Sequence, residues 1–187
     1  AYDNAIGSVH DYFYSQSYGQ FNLTFDVVGP VTLNKSYSYY GSNSSSGNDL
    51  HADEMVVEAC KMVANQVNFA DYDWDKDGEV DQVYLIYAGY GENYGNSDPN
   101  TIWPHESHLE YTKKAFAING TGINVYACSA ELVGTKSSAS VRYNGIGVAC
   151  HEFSHCLGLP DFYDTSKRGG TGLSGWDLMA SGSYSGP

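Results

Sequence analysis

The sequence predicts a mixed α+β domain, and three observations carry that reading. Apolar residues recur at helical spacing around residues 49–69 and 146–157, and runs of β-branched and aromatic residues fall at 21–28, 80–88, 114–118 and 123–129. Gly, Asn and Pro mark the joins between these segments. A chain of 187 residues suits one compact domain with a core of its own.

Residues 21–28 (FNLTFDVV) are rich in β-formers, alternate in part and stop at Gly29-Pro30, which predicts a strand. GSNSSSGN at 41–48 reads as a surface loop. From 49 to 69 the apolar positions Met55, Val56, Ala59, Cys60, Met62, Val63 and Val67 are spaced by threes and fours, an amphipathic helix with Asn48 or Asp49 as its cap. Residues 80–88 form a nearly continuous apolar run, as in a strand covered on both faces. Residues 114–118 and 123–129 flank Asn119-Gly120-Thr121-Gly122, a hairpin turn. Residues 146–157 read as a second long helix ended by Gly158, and 163–175 as a Gly/Ser/Thr loop.

Nine Lys plus Arg against 22 Asp plus Glu leave a net charge of −13, which repels phosphate backbones and anionic membranes, so nucleic acid is excluded as the expected partner. No apolar stretch reaches the roughly 18 residues of a membrane span, and the chain opens without a basic-then-apolar leader. Of four cysteines, Cys150 and Cys156 fall on one helix about 9 Å apart along its axis and on different faces, so they cannot bridge each other. Pairing of one with Cys60 or Cys128, or four unpaired thiols, both remain open.

His151-Glu152-Phe153-Ser154-His155 is the most informative segment. Residues i and i+4 of a helix face the same way, so the two imidazoles can grip one ion, while Glu152 reaches water beside it. Zinc suits two imidazoles, and a catalytic site needs a third protein ligand and an open position. Gly158 can turn the chain back, bringing Asp161 into position as that ligand, with Asp164 as a rival. Between 71 and 81 a second pattern appears. Asp73-x-Asp75-x-Asp77-Gly78 resembles an EF-hand-type loop, which predicts structural Ca²⁺ held by Asp73, Asp75, Asp77, Glu79 and Asp81, although position 84 is Tyr where an EF-hand has its bidentate Glu. The other histidines are weaker candidates. His10 and His51 read as surface residues on helices, and His105 and His108, in WPHESH, as loop residues rather than ligands.

HEFSHCLGLPD resembles the extended zinc signature of the metzincin metallopeptidases, with Asp where many members carry a third His. With GLPDFYD and GWDLMASGSYSG it is most similar to the immune inhibitor A type of secreted bacterial metalloprotease, the M6 family. DYDWDKDGEVDQVYLIYAGYGE and IWPHES extend the similarity from residue 8 to the end. The resemblance implies a metzincin-like zincin catalytic domain: a mixed, twisted sheet packed with an active-site helix and at least one further long helix. It implies zinc on His151, His155 and Asp161, and Met179 in a Met-turn flooring the histidines. It also implies protein or peptide substrates lying against an exposed sheet edge, for which the 114–129 hairpin is the candidate, and an extracellular or cell-surface location. Family members start with an apolar strand ahead of the first helix and run on past the Met-turn. The expected unit is therefore a single catalytic domain over 1–187, trimmed at both ends.

The expected activity is that of a monomeric, secreted zinc-dependent endopeptidase, with Glu152 as general base for a zinc-activated water. Tyr184 is a candidate oxyanion stabiliser, though for one tyrosine among 17 a surface or packing role is the default reading. The alternatives are a non-catalytic surface binding module that keeps the metal as a structural element, and a hydrolase of non-peptide amides. A structural zinc needs neither an open position nor Glu152, which favours the enzyme.

Overall fold

The computed structural model describes residues 7–95, 98, 100–166 and 169–185. In chain order the elements are α1 (Val9–Gln16), α2 (Tyr37–Tyr40), α3 (Ala52–Val63), β1 (Val83–Tyr90), β2 (His105–His108), β3 (Phe116–Ile118), β4 (Thr121–Ile123), β5 (Val125–Val133), β6 (Arg142–Tyr143) and α4 (Ile146–Cys156). They fall into two compact units, one drawn from Val28–Asn144 and the other from Ala1–Val27 with Gly145–Pro187. The α+β class and the mixed sheet are as the sequence predicts.

In the Val28–Asn144 unit β5 is the central strand. β1 pairs with it in parallel, β2 antiparallel on its other side, and β6 antiparallel near its end. Its residues Tyr126, Ala127, Cys128, Ser129 and Ala130 are all buried. The helix expected over 49–69 is realised as α3, and its apolar stripe divides between two parts of the core. Val56, Cys60 and Val63 pack with Leu109, Ile123 and Tyr126, while Ala52 and Met55 pack with Tyr40, Ile102 and Cys128. Each large side chain buried this way contributes roughly 1.5–3 kcal/mol. Met62, counted in the stripe, is 42% exposed.

Several expectations are corrected here. The cap of α3 is His51, whose side chain makes no capping hydrogen bond, rather than Asn48 or Asp49. Asp49 Oδ2 instead accepts the Trp103 amide at 2.9 Å, and burial pushes its carboxyl up to about 6. β1 is covered on one face only: Tyr87 is buried, whereas Ile86 is 69% exposed and Ala88 is also exposed. The turn is a tight two-residue one at Asn119-Gly120, both at positive φ, the geometry of a type I′ hairpin. The expected strand 123–129 is interrupted at Asn124, whose main-chain carbonyl accepts the Leu109 amide (3.0 Å) and whose Oδ1 accepts that of Glu110 (3.1 Å). The 114–129 segment is thus a small separate hairpin followed by the central strand of the sheet, and β5 offers no exposed edge. WPHESH is no loop, because main-chain pairing with Val125–Cys128 makes His105–His108 a strand despite its polar side chains.

The other unit is built on α1 and α4. Ser8 and Asp11 form a reciprocal capping box that starts α1: Ser8 Oγ accepts the Asp11 amide (3.2 Å) and Asp11 Oδ2 accepts the Ser8 amide (2.9 Å). Phe13 of α1 meets Phe153 of α4 at 5.1 Å between ring centroids. The strand expected at 21–28 does not form. Only Leu23 of that segment is buried, and Val27 is 91% exposed. Strand propensity is realised only where a neighbouring strand supplies pairing and packing, and these residues pair with none of the described strands.

α4 begins after Gly145 and ends in a Schellman motif, as Gly158 predicts: the Gly158 amide (φ 88°) donates to His155 O at 2.8 Å and the Leu159 amide to Ser154 O at 3.1 Å. Near its start, Gly147 lies so close to the Ser181–Tyr184 turn that an added Cβ would stand 2.2 Å from Ser183 O. Gly147→Ala is therefore expected to destabilise the protein by about 1–3 kcal/mol through forced displacement of that turn, read as a lowered midpoint in chemical denaturation. An unchanged midpoint would show that the contact is not tight.

Candidate metal centre

Helical spacing sets the first two ligand candidates. His151 and His155 stand one turn apart on α4, their Nε2 atoms 3.2 Å from each other. The Schellman turn reverses the chain so that Asp161 comes back alongside, with Oδ1 3.4 Å from His151 Nε2 and 3.3 Å from His155 Nε2. The three atoms form a nearly equilateral triangle.

Main-chain acceptors decide the protonation of both rings. His151 Nδ1 lies 2.7 Å from Leu178 O, and His155 Nδ1 lies 2.8 Å from Leu159 O. A carbonyl oxygen only accepts, so each ring donates through Nδ1–H and the neutral ring carries its lone pair on Nε2. Burial pushes the His151 pKa below its usual value, which favours that neutral form. Asp161 Oδ1 is buried and has no hydrogen-bond donor. Three acceptors thus converge with nothing to donate between them, and a cation relieves their repulsion. The fit to zinc is close, since ligand bonds of about 2.0–2.1 Å at tetrahedral angles place ligand atoms about 3.3–3.4 Å apart. The donor set of two imidazoles and a carboxylate also leaves one of four positions for water.

The surroundings are built from the same loop and turn. Glu152, adjacent to His151 on α4, is 7% exposed. The turn holding Met179 closes with the Ala180 amide donating to Asp177 O at 3.2 Å, and the Met179 amide donates to Asp177 Oδ1 at 2.8 Å. Met179 is buried, and its neighbour Leu178 supplies the carbonyl that orients His151. Burial, helped by the negative charge of Asp161, pushes the Tyr163 phenol up to about 12, so it stays protonated.

The rival Asp164 is engaged elsewhere, its Oδ1 accepting the Ser166 amide at 2.9 Å and the Ser166 hydroxyl. Tyr184 is 48% exposed. The two ring-orienting carbonyls escape a sequence reading. A main-chain carbonyl leaves no mark in the sequence.

The acidic loop lies in the other unit. Ligand-capable oxygens of Asp73, Asp75 and Asp77 lie within 4.8 Å of one another, a separation that two Ca–O bonds of about 2.3–2.6 Å span. Asp73 Oδ1 is buried with no hydrogen-bond partner. Glu79 and Asp81 are not members of that group. Asp81 Oδ2 accepts the Trp74 amide at 2.6 Å, and the Glu79 side chain lies against Gly122. Of the five expected ligands, three converge in this loop.

The remaining histidines have other partners. His105 is held between Trp103 O (2.7 Å) and the Tyr126 hydroxyl (2.9 Å), and His108 pairs with Glu106 and Glu110. His10 bonds Asn22 at 2.9 Å, and His51 stacks on Tyr39. None of the four cysteines is disulfide-bonded. Burial pushes the Cys60 and Cys150 thiols up to about 12.

The sequence model of the family described as immune inhibitor A peptidase M6, catalytic domain, matches residues 1–187. The chain belongs to this family. Among M6-type relatives, it is 30% identical to the pre-pro-metalloprotease PrtV of Vibrio cholerae serotype O1, in strains M66-2 and El Tor Inaba N16961, over 96% of this chain and 21% of the relative. It is 27% identical to immune inhibitor A of Bacillus thuringiensis subsp. alesti, over 97% of this chain and 29% of the relative. The chain thus spans between a fifth and a third of the length of these relatives. Among the described residues no helix is long and apolar enough to cross a membrane.

Proposed function

We propose that the chain is the single, metzincin-like catalytic domain of a secreted zinc endopeptidase, with His151, His155 and Asp161 as the zinc ligands. The observation that carries this reading is the triangle of lone-pair atoms with sides of 3.2, 3.3 and 3.4 Å, set by Nδ1–H bonds to two carbonyls. Membership of the M6 family supports the peptidase assignment. A relative named as a pre-pro-metalloprotease supports secretion.

Zinc, when bound, lowers the pKa of water towards neutrality and withdraws charge from the scissile carbonyl. The protein's part is proton transfer and orientation. Glu152 takes the proton of the attacking water and passes it to the departing amine, so a side chain one residue from a ligand serves as base and then as acid. Leu178 O and Leu159 O keep the ligand rings in the tautomer that presents Nε2. Met179, buried in its turn, is the apolar floor beneath the histidines. Substrate is an extended protein or peptide chain.

Loss of Glu152 tests the assignment. Purified wild type and Glu152→Ala are both expected to hold one zinc by metal analysis, with casein cleavage reduced at least 100-fold in the variant. Stoichiometric zinc without cleavage of any peptide by the full-length protein would instead favour the metal-stabilised binding module, and no zinc under replete conditions would defeat both readings.

We also propose structural Ca²⁺ at Asp73, Asp75 and Asp77, supported by their convergence and by the unpartnered Asp73 Oδ1. It would tie Phe69–Tyr72 to the start of β1. Calcium is expected to raise the thermal midpoint of the wild type and to raise that of Asp75→Asn much less; equal shifts would remove the assignment.

A further inference from the structure

Nine basic side chains stand against 22 acidic ones in this chain, and three of the nine, Lys61, Lys113 and Lys114, line one groove of about 710 Å³ in the Val28–Asn144 unit. Its apolar lining is Val57 and Met62 of α3 and Phe116 at the start of β3. Met62, 42% exposed, is the member of the α3 stripe that the core does not bury. The carboxylates of the groove are already engaged. Glu54 accepts the Tyr39 hydroxyl at 2.7 Å and the Lys114 ammonium at 3.0 Å, and Glu58 accepts the Asn34 main-chain amide at 2.7 Å and the Tyr40 hydroxyl. Lys114 also donates to Asp53 at 3.0 Å. Lys61 and Lys113 differ: both are exposed, and among the described residues neither forms an ion pair, Lys61 Nζ lying 5.3 Å from the centre of the Phe116 ring. Donors are left over where acceptors are spent, so the groove favours a ligand that brings carboxylates.

β3 adds a second selection. Among the described strands it pairs with β4 alone, in the two-residue hairpin closed by Ile118 and Thr121. The alternation of an antiparallel ladder turns the main-chain N–H and C=O of Ala117 away from β4, and Ala117 is exposed. An open edge of this kind accepts extended peptide. We propose that the groove is a docking site for an extended acidic segment of a partner protein, with an apolar side chain against Val57, Met62 and Phe116, carboxylates on Lys61 and Lys113, and main-chain pairing to Ala117. The segment is held there rather than cut. Every residue invoked belongs to the Val28–Asn144 unit, whereas His151, Glu152, His155 and Asp161 belong to the other, so the inference goes beyond the peptidase reading. Two exposed ion pairs are weak and screened by salt, so burial of the apolar side chain has to supply much of the affinity.

The probe is a short fluorescein-labelled peptide of alternating Glu and Val, and binding is read by fluorescence anisotropy in the Glu152→Ala background so that the probe is not consumed. Saturable binding is expected, weakened by added salt and weakened about tenfold or more when Lys61→Glu and Lys113→Glu are combined. Lys136→Glu combined with Arg142→Glu makes the same change in net charge away from the groove and is expected to leave the dissociation constant within about twofold. Amide hydrogen exchange at Ala117 is expected to slow when the probe binds. Absence of binding, equal weakening by the two pairs of substitutions, or unchanged exchange at Ala117 would overturn the inference. So would self-association of the protein that the Lys61→Glu and Lys113→Glu pair abolishes, because a second copy of the chain would then be the occupant.

Discussion

Two imidazole nitrogens and a carboxylate oxygen held 3.2–3.4 Å apart, all presenting lone pairs, repel one another. This constraint organises the unit built from α1 and α4. Neither ring can relieve it by shifting its proton to Nε2, because doing so would leave Nδ1 and a carbonyl oxygen facing each other as two acceptors at 2.7–2.8 Å. Full protonation of one ring would satisfy a single contact, and burial acts against it at His151. A divalent cation satisfies all three at once. On the proposed reading, zinc binding and the local fold are one equilibrium, and metal stabilises this unit in proportion to its affinity.

The geometry depends on how α4 begins and ends. Gly147 lets the Ser181–Tyr184 turn lie against the first turn of the helix, and Gly158 reverses the chain at the last. The reversal supplies both Leu159 O, which orients His155, and Asp161. The segment just before the Ser181–Tyr184 turn supplies Leu178 O and Met179. Two short irregular stretches thus carry most of what positions the candidate site, whose two histidines come from regular helix. Irregular backbone of this kind is where functional groups concentrate, provided a rigid element anchors it.

Residues with a fixed local spacing were legible in the sequence, and residues defined by distant neighbours were not. His151 and His155 could be paired because the helix repeat alone decides which side chains share a face. Asp161 could be favoured over Asp164 through Gly158, since a left-handed glycine announces where a helix stops. The stripe of α3 was legible for the same reason, apart from Met62. By contrast, 21–28 has the composition of a strand and lacks the pairing, while HESH has the composition of a loop and acquires pairing from β5. Strand formation is a property of two segments, and one segment's composition under-determines it. Asp49 illustrates the same limit, since its carboxylate is taken by the Trp103 amide, 54 residues away, and is lost to the helix it was expected to cap.

The excess of 13 negative charges is also distributed with purpose. Three carboxylates gather in the loop at 73–77, and a fourth converges with the two histidines. Both clusters concentrate negative charge where a cation would neutralise it. The claim on which the proposed function turns is that one cation binds His151, His155 and Asp161 together. Zinc K-edge X-ray absorption on the zinc-loaded wild type measures this directly. Nitrogen and oxygen scatterers alone at about 2.0–2.1 Å, with the outer-shell signature of two imidazoles, are predicted; a sulfur scatterer near 2.3 Å or a single imidazole would contradict it.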